Sequence, residues 1–274
     1  MTPLVATIIF ILGTAIGSFL SVVIYRVHSK KKGIMFGRSI CPHCNKKLKA
    51  HHLIPIFSWI FLRGKCGFCG KKISAHYISL ELITGLTFLT IFLYWNFLIA
   101  VPSTVAPDFF TYTIDWQIFE RFIFYIIEFV LLIAIFFYDL QYQEIPDRFS
   151  IPAIGVAIAG GLVFGVPTTI SMLIGAIVLF LFFFIQFAVS KGRWIGGGDL
   201  RMGVLMGVLL GWQMGLFALM IAYFFGAFIS IFMLMTGRVT RKTAIAFGPF
   251  LIIGTIIMIF FGETLLNSYW TLLT

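Results

Sequence analysis

The strongest constraint on this chain comes from a series of apolar segments long enough to cross a membrane. A spanning helix needs about 20 mostly apolar residues, and eight candidate segments lie near residues 4–25, 77–100, 119–138, 149–166, 168–190, 201–214, 215–236 and 245–262. Hydrophobic residues make up 60% of the 274 residues and charged residues only 11%, which excludes a water-soluble globular protein. We predict an all-α polytopic membrane protein with about eight transmembrane helices, of which the sixth is short and has no clear boundary with the seventh.

The first apolar segment and the distribution of cations predict an orientation. The segment lacks a cationic leading region and a small-residue cleavage site, so we interpret it as a retained helix and not as a signal peptide. With the N-terminus outside, 19 of the 20 Lys and Arg residues fall in the internal segments 26–76, 139–148, 191–201 and 237–243. The positive-inside rule therefore predicts an even number of spans with both termini outside. Anionic lipid explains the net charge of +10, so no nucleic-acid partner is expected.

Polarity divides the chain into three predicted parts. Residues 1–27 form the first transmembrane helix, residues 28–76 form a cytosolic module, and residues 77–274 form a membrane core of about seven helices. The module is the only sizeable polar segment, and about 50 residues bury too little apolar surface to fold on their own. A bound metal would supply the missing folding free energy.

The cytosolic module contains every cysteine of the chain. They form two Cys-x-x-Cys pairs separated by 21 residues, Cys41 with Cys44 and Cys66 with Cys69. This spacing is typical of a tetrahedral four-thiolate zinc site, which is closed and structural because no ligand position is left for a substrate. A thiol-redox role for the two pairs is the alternative, and it requires exposed thiols of low pKa.

The carboxylates are few enough to consider one by one. Glu81 and Glu128 lie inside apolar spans, where an ionisable group is either functional or is held by a neighbouring polar side chain. Asp139 ends the third span and Asp199 opens the sixth, both at the predicted cytosolic boundary. Two carboxylates that meet at one membrane face can activate water, with one protonated and the other ionised.

The helix ends suggest a role for each aspartate. Asp139 lies near a helix C-terminus and Asp199 near a helix N-terminus, so the helix dipoles favour Asp199 as the base and Asp139 as the acid. An aspartate at a helix start is also a common capping residue, and a proton-coupled transporter would use the same acids. Gly196, Gly197 and Gly198 precede Asp199 in "GRWIGGGDLRMG", and without Cβ atoms they would let a substrate backbone approach the acid.

Six blocks of the sequence resemble the bacterial prepilin peptidases, also called type IV leader peptidases, which are membrane aspartic proteases of the Gly-x-Gly-Asp class. The blocks follow the family's order over nearly the whole chain: "GTAIGSFLSVVIYR" at 13–26, "LIPIFSWIFLRGKCGFC" at 53–69, "ISAHYISLELITG" at 73–85, "DLQYQEIPD" at 139–147, "GGGDLRMG" at 196–203 and "AFGPFLIIG" at 246–254. The chain departs from the usual family pattern at Ser21, His76 and Ile78.

The resemblance implies an activity, partners and site residues. It implies that Asp139 and Asp199 are the catalytic aspartates and that Asp147 has a supporting role. The implied substrates are prepilins or pseudopilins, whose basic leader is cut at the cytosolic face of the bacterial inner membrane. It also implies N-methylation of the new N-terminus with S-adenosylmethionine, an activity associated with the cytosolic segment. The sequence does not define an oligomeric state.

Overall fold

A computed structural model describes residues 2–29, 39–41, 43–102, 110–237, 239–240, 243 and 245–273. The first part of the predicted cytosolic module, residues 30–38, lies outside the described residues. The chain divides into two compact units, residues 1–133 and 134–274, and the boundary falls within one long helix.

The first unit contains two membrane-length helices, a cysteine segment and a small hairpin. Its elements are α1 (Thr2–His28), a 3-10 turn (Ala50–Leu53), α2 (Phe57–Phe61), α3 (Ala75–Tyr94), β1 (Leu98–Pro102), β2 (Phe110–Ile114) and the first part of α4 (Trp116–Tyr142). The antiparallel β1–β2 hairpin, which pairs Leu98 with Ile114, was not expected from the sequence.

Small residues let α1 and α3 pack closely in antiparallel directions. A Cβ on Gly13 would lie 2.9 Å from the Cα of Gly85, and a Cβ on Gly17 would lie 2.8 Å from the Cα of Glu81. Within a membrane, such backbone proximity replaces the hydrophobic driving force that packs helices in water. Because α1 packs along α3 in this way, it is part of the folded unit.

The second unit consists of helices that begin or end around a common region. Its elements are the end of α4, α5 (Asp147–Phe164), α6 (Thr169–Ser190), α7 (Gly197–Met235) and α8 (Gly248–Leu273). The chain leaves α4 through a short turn in which Pro146, with extended backbone, is the N-cap residue before the first residue of α5. This turn and the starts of α7 and α8 carry the residues considered below.

The element α7 consists of two helical arms joined by a reversal at Gly211. The backbone of Gly211 has φ +75° and ψ −179°, which interrupts the helix. Before the break, a Cβ on Gly203 would lie 2.7 Å from the ring of Phe183 in α6. After the break, the Tyr223 hydroxyl donates a hydrogen bond to Gln186 of α6, 3.3 Å away. Both arms therefore lie along the same stretch of α6, which requires the chain to turn back at Gly211.

This reversal reconciles the predicted and observed numbers of spans. Seven helices in the described part of the chain are long and apolar enough to cross a membrane. Counting the arms of α7 separately gives the eight passes predicted from the sequence. The first arm, residues 197–210, is about 21 Å long at 1.5 Å per residue, so the prediction of a short sixth helix is confirmed. The predicted boundary near residue 214 was late, because the turn is at Gly211.

Candidate functional site

The four cysteines form one cluster in the first unit. The Sγ atoms of Cys41, Cys44, Cys66 and Cys69 all lie within 4.8 Å of one another, and none of these cysteines is in a disulfide. A tetrahedral zinc with Zn–S bonds of about 2.3 Å places its sulfurs about 3.8 Å apart, so the donor set fits a four-coordinate metal. No histidine belongs to the cluster among the described residues.

Two similar backbone turns present the thiols. In the first, Cys41 N–H donates to the carbonyl of Lys46 at 3.0 Å; in the second, Cys66 N–H donates to the carbonyl of Lys71 at 2.8 Å. Burial opposes ionisation of the Cys66 thiol, but backbone N–H groups and neighbouring thiols stabilise its thiolate and lower its pKa to about 7. A thiol that ionises readily is a good metal ligand.

Asp139 lies in the last turn of α4 and is almost fully buried, with 4% of its surface exposed. Its carboxylate contacts the first residue of α8: a Cβ on Gly248 would lie 2.6 Å from Asp139 Oδ2. Asp139 therefore packs against the start of α8 as well as lying near the end of α4.

Asp199 lies in the first turn of α7 and is half-buried. Its Oδ2 accepts a hydrogen bond from the N–H of Gly196 at 3.1 Å, while its own N–H donates to the Gly196 carbonyl at 3.2 Å. The carboxylate of the third helical residue thus caps the N–H of the N-cap residue, which is half of a capping box, since a glycine has no side chain to return the bond. Asp199 is therefore not the N-cap residue considered from the sequence, but its bond to Gly196 N–H orients the carboxylate.

Ile145 joins the two aspartate-bearing regions. A Cβ on Gly198 would lie 2.7 Å from Ile145 Cβ, and a Cβ on Gly248 would lie 3.1 Å from Ile145 Cδ1. The Ile145 side chain is buried and packs beside the residue that precedes Asp199 and beside the residue that contacts Asp139. The turn between α4 and α5 thus supplies a common apolar contact for both carboxylate sites.

These contacts change the expectation about the glycine run. The space that a Cβ would need at Gly198 is occupied by Ile145 and is not open to a substrate. A Cβ on Gly197 would meet nothing within 4 Å, and one on Gly196 would meet only atoms of its own turn, Asp199 Oδ2 at 3.8 Å and Gly198 N at 3.9 Å. Close approach of a substrate backbone is therefore open at Gly197, whereas Gly198 is required for packing within the protein.

The structure brings Asp139 and Asp199 together, although 60 residues separate them in the chain. Ile145 packs beside both Gly198 and Gly248, so the two carboxylates lie in one small region of the second unit. Close like charges favour a state with one carboxyl protonated and one ionised. The helix-dipole argument for Asp139 as the acid is weakened, because Asp139 also faces the N-terminus of α8. We therefore treat the aspartates as a pair that shares its protons.

Asp147 occupies a different position from the pair. It is exposed at the first helical residue of α5 and forms an ion pair with Arg201 in α7. Arg201 Nε also donates to the carbonyl of Gly197 at 3.3 Å. The ion pair connects the start of α5 to the loop that carries Asp199, an arrangement that suits the supporting role predicted for Asp147.

The two glutamates inside spans have different surroundings. Glu81 Oε2 accepts a hydrogen bond from the N–H of Ile56 at 2.7 Å, so it holds a loop of the cysteine segment against α3. Glu128 is completely buried in α4, and neither carboxyl oxygen has a hydrogen-bond partner among the described residues. Glu81 therefore has a structural partner, which is one of the two interpretations that the sequence left open.

Sequence reasoning did not identify the contact residues around the pair. Ile145, Arg201 and Gly248 all lie in blocks that carried the family resemblance, but nothing in their local sequence showed what they touch. The available signal was the "FGPF" block, which placed a glycine and a proline at the start of the last span. Its position beside Asp139 depends on tertiary packing.

Fold and site together define a class: a polytopic helical membrane protein with a paired-carboxylate site and a four-cysteine module. Residues 11–97 match the family described as Bacterial Peptidase A24 N-terminal domain, and residues 126–231 match the Type IV leader peptidase family. The chain belongs to the type IV leader peptidase family.

Curated relatives cover most of the chain, and each is named Prepilin leader peptidase/N-methyltransferase. The protein from Myxococcus xanthus is 32% identical over 88% of this chain and 67% of its own length. Those from Aeromonas hydrophila and Bacillus subtilis are each 28% identical, over 97% and 96% of this chain and 93% and 97% of their own lengths. No solved structure gives a significant match.

Proposed function

We propose that this protein removes the basic leader of type IV prepilins or pseudopilins by aspartic peptide hydrolysis, with Asp139 and Asp199 as the catalytic pair. The observation that supports the proposal is the arrangement around Ile145, which packs beside Gly248, the residue in contact with Asp139, and beside Gly198, the residue before Asp199. Membership of the leader peptidase family supports the same chemistry.

The proposed reaction uses one water and the shared protons of the pair. The ionised carboxylate takes a proton from water while the water oxygen bonds to the peptide carbon, and the protonated carboxyl donates its proton to the carbonyl oxygen. The tetrahedral intermediate collapses when the C–N bond breaks: the amine leaves with the proton taken from water, and a hydroxyl proton of the intermediate returns to the carboxylate that had donated one. Because both carboxylates lie near a helix N-terminus, we assign the base and the acid to the pair and not to one aspartate, and a pH titration of each single Asn variant tests whether either role is fixed.

The pair is flanked by groups that we expect to support it. Gly196 N–H fixes the Asp199 carboxylate, Gly248 packs against that of Asp139, and the absence of a Cβ at Gly197 leaves room beside the pair. The ion pair of Asp147 with Arg201 would keep the α5 start and the Asp199 loop in register. A structural capping role alone would not explain why a second, buried carboxylate lies beside Asp199.

We further propose that Cys41, Cys44, Cys66 and Cys69 hold a structural zinc ion. The common cluster of four thiols supports one closed metal site over two independent dithiols that exchange electrons. Zinc would stabilise the cysteine module and take no part in peptide hydrolysis.

The second proposed activity is N-methylation of the new N-terminus with S-adenosylmethionine. It rests on the names of the relatives, and we assign no residues to S-adenosylmethionine binding. Mass spectrometry of the cleaved product, with and without S-adenosylmethionine, tests it separately from cleavage. A product that stays unmethylated while cleavage proceeds would contradict the bifunctional assignment without affecting the peptidase.

The proposed location is the bacterial inner membrane, with both termini outside and the aspartate pair and cysteine module on the cytosolic side. The positive-inside distribution of Lys and Arg supports this orientation. Membrane lipid and the prepilin are the proposed partners, and the apolar helix of the prepilin would lie among the spans while its leader stays in the cytosol.

Peptidase activity is tested by incubating the purified protein in lipid discs with a synthetic prepilin. Mass spectrometry should show one cut between the basic leader and the apolar helix, and Asp139→Asn or Asp199→Asn should abolish it. A proton-coupled transporter, which family membership does not favour, would leave the prepilin intact and would carry protons in sealed vesicles. Full cleavage by either variant would contradict the aspartic mechanism.

A further inference from the structure

The segment between the two cysteine pairs has an exposed apolar surface. Its large side chains between 38% and 80% exposed are Leu53, Ile54, Phe57, Ile60 and Phe61, which we call the apolar ridge. Phe57, Ile60 and Phe61 are three or four positions apart in α2, which places them on one face of that helix. In a water-soluble module this surface would promote aggregation, so it is expected to be covered.

The opposite side of α2 is attached to the cysteine module. Trp59 lies about 200° around the helix from Phe57 at 100° per residue, and a Cβ on Gly64 would lie 2.9 Å from the Trp59 ring. Gly64 N–H donates to the Trp59 carbonyl at 2.8 Å, two residues before Cys66. Because Trp59 is directed into the module, Phe57 and its ridge neighbours are directed away from it.

A hydrogen bond places the ridge at the depth of a membrane span. Ile56 N–H donates to Glu81 Oε2 at 2.7 Å. Glu81 is six residues beyond Ala75, the start of α3, or about 9 Å along the helix axis. Exposed apolar side chains of α3 begin next to it, with Leu82 42% and Ile83 39% exposed. The ridge is therefore beside the apolar part of α3 and not beyond its polar end.

The backbone at this attachment is strained. Ile56 has φ +62° and ψ −55°, a region that a β-branched residue rarely occupies because its backbone is strained there. The hydrogen bond to Glu81 offsets part of that cost and fixes the direction in which the chain enters α2. A buried carboxylate that accepts this N–H is thus the anchor of the ridge.

The charges around the apolar ridge indicate what covers it. The exposed cations Lys46, Lys47, Lys49, Arg63 and Lys65 flank it in sequence, and residues 1–80 contain no Asp or Glu. Lys and Arg side chains near an anionic lipid surface are attracted to its headgroups. The same cations would repel a basic peptide. An apolar face with a cationic rim is the pattern of a segment that lies in the membrane interface.

We propose that residues 53–61 form an interfacial membrane anchor. The apolar ridge inserts into the boundary between headgroups and acyl chains on the side of the cysteine module, and the flanking cations bind anionic headgroups. Glu81 fixes the depth of the anchor, and Trp59 transmits that position to the cysteine turns. The anchor holds the cysteine module at a constant height on the membrane, whichever reactions the protein catalyses.

Photo-crosslinking of the full chain in phosphatidylglycerol discs tests this proposal. p-Benzoylphenylalanine would replace Phe57 or Phe61, and Lys71, exposed in the second cysteine turn, would be the matched control. We expect the probe at residue 57 or 61 to form a lipid adduct with several times the yield of the probe at residue 71. Retained metal content and gel-filtration behaviour would show that each variant is folded.

Three outcomes would overturn the proposal. Equal lipid labelling at 71, crosslinks from 57 or 61 to a second copy of the chain, or crosslinks there to an added prepilin would each assign the ridge another role.

A second measurement uses Phe57→Ser/Phe61→Ser in the same discs. Amide exchange of residues 43–73 should become several times faster in this variant, and unchanged exchange would also contradict the anchor.

Discussion

The carboxylate of Asp139 rests directly on Gly248, so that a Cβ at position 248 would lie 2.6 Å from Asp139 Oδ2. Real Cβ atoms do not approach an oxygen this closely, so a larger residue would have to displace the carboxylate. One residue at the start of α8 therefore controls the position of one member of the pair.

Gly248→Ala should reduce the kcat for prepilin cleavage by about 10²-fold, the scale of a displacement of about 1 Å in an active site. The KM should change little, because the carboxylate acts on the scissile peptide and not on the distant parts of the substrate. Gly155→Ala in α5 is the matched control, since a Cβ there meets nothing within 4 Å. Wild-type kcat in Gly248→Ala would show that Asp139 tolerates displacement.

The glycine run offers a matched pair of substitutions. Gly198→Ala places a Cβ 2.7 Å from Ile145 Cβ, whereas Gly197→Ala meets nothing within 4 Å. We expect Gly198→Ala to lower the thermal midpoint and the kcat together, because it separates the Asp199 loop from the α4–α5 turn. Gly197→Ala should keep wild-type stability and raise the KM if the substrate backbone approaches there. Unchanged stability in Gly198→Ala would contradict the packing role of Ile145.

Asp147→Asn should have a much smaller effect than either catalytic substitution. The ion pair with Arg201 is exposed, with 64% and 33% of the two side chains accessible, and such pairs contribute about 0–1 kcal/mol. We expect the free energy of unfolding to fall by about 1 kcal/mol or less and cleavage to persist. Arg201→Gln should behave similarly. Loss of all cleavage in Asp147→Asn would instead place this carboxylate among the reacting groups.

Cys41→Ser should remove the proposed zinc and loosen the cysteine module. Elemental analysis should find about one zinc per wild-type chain, as expected for a four-cysteine site, and little in the variant. Hydrogen exchange should increase in residues 43–73 and stay unchanged in α6. His43→Ala is the control, because His43 is exposed and outside the cysteine cluster. Wild-type metal content in Cys41→Ser would contradict the four-thiolate site.

The transmembrane helices were predictable because a backbone inside the bilayer must make its hydrogen bonds internally. A long apolar segment therefore indicates a helix. The reversal at Gly211 was misplaced by a few residues, because apolar residues continue through the turn and only the backbone of one glycine marks it. Gly207 illustrates the same limit, because the structure pairs it with Gly175 of α6 and nothing in its local sequence shows that partner.

The aspartate pair was predictable for a different reason. Carboxylates are rare in this chain, so two at helix ends on one predicted face were conspicuous. Their surroundings were not predictable, since Ile145 reaches Gly198 and Gly248 across 53 and 103 residues of chain. Local sequence determines which residues begin or end helices, but contacts at such separations depend on how the helices pack.

The central claim is that Asp139 and Asp199 act as one catalytic unit. Single-turnover cleavage of a prepilin should be measured for Asp139→Asn, Asp199→Asn and the double variant, with intact folding verified by hydrogen exchange. We predict that each single substitution lowers the rate by at least about 10³-fold and that the double variant is scarcely slower than either, because groups that act as a unit are not additive. A double variant slowed by the product of the two single effects, or a single variant that cleaves at the wild-type rate, would contradict the pair.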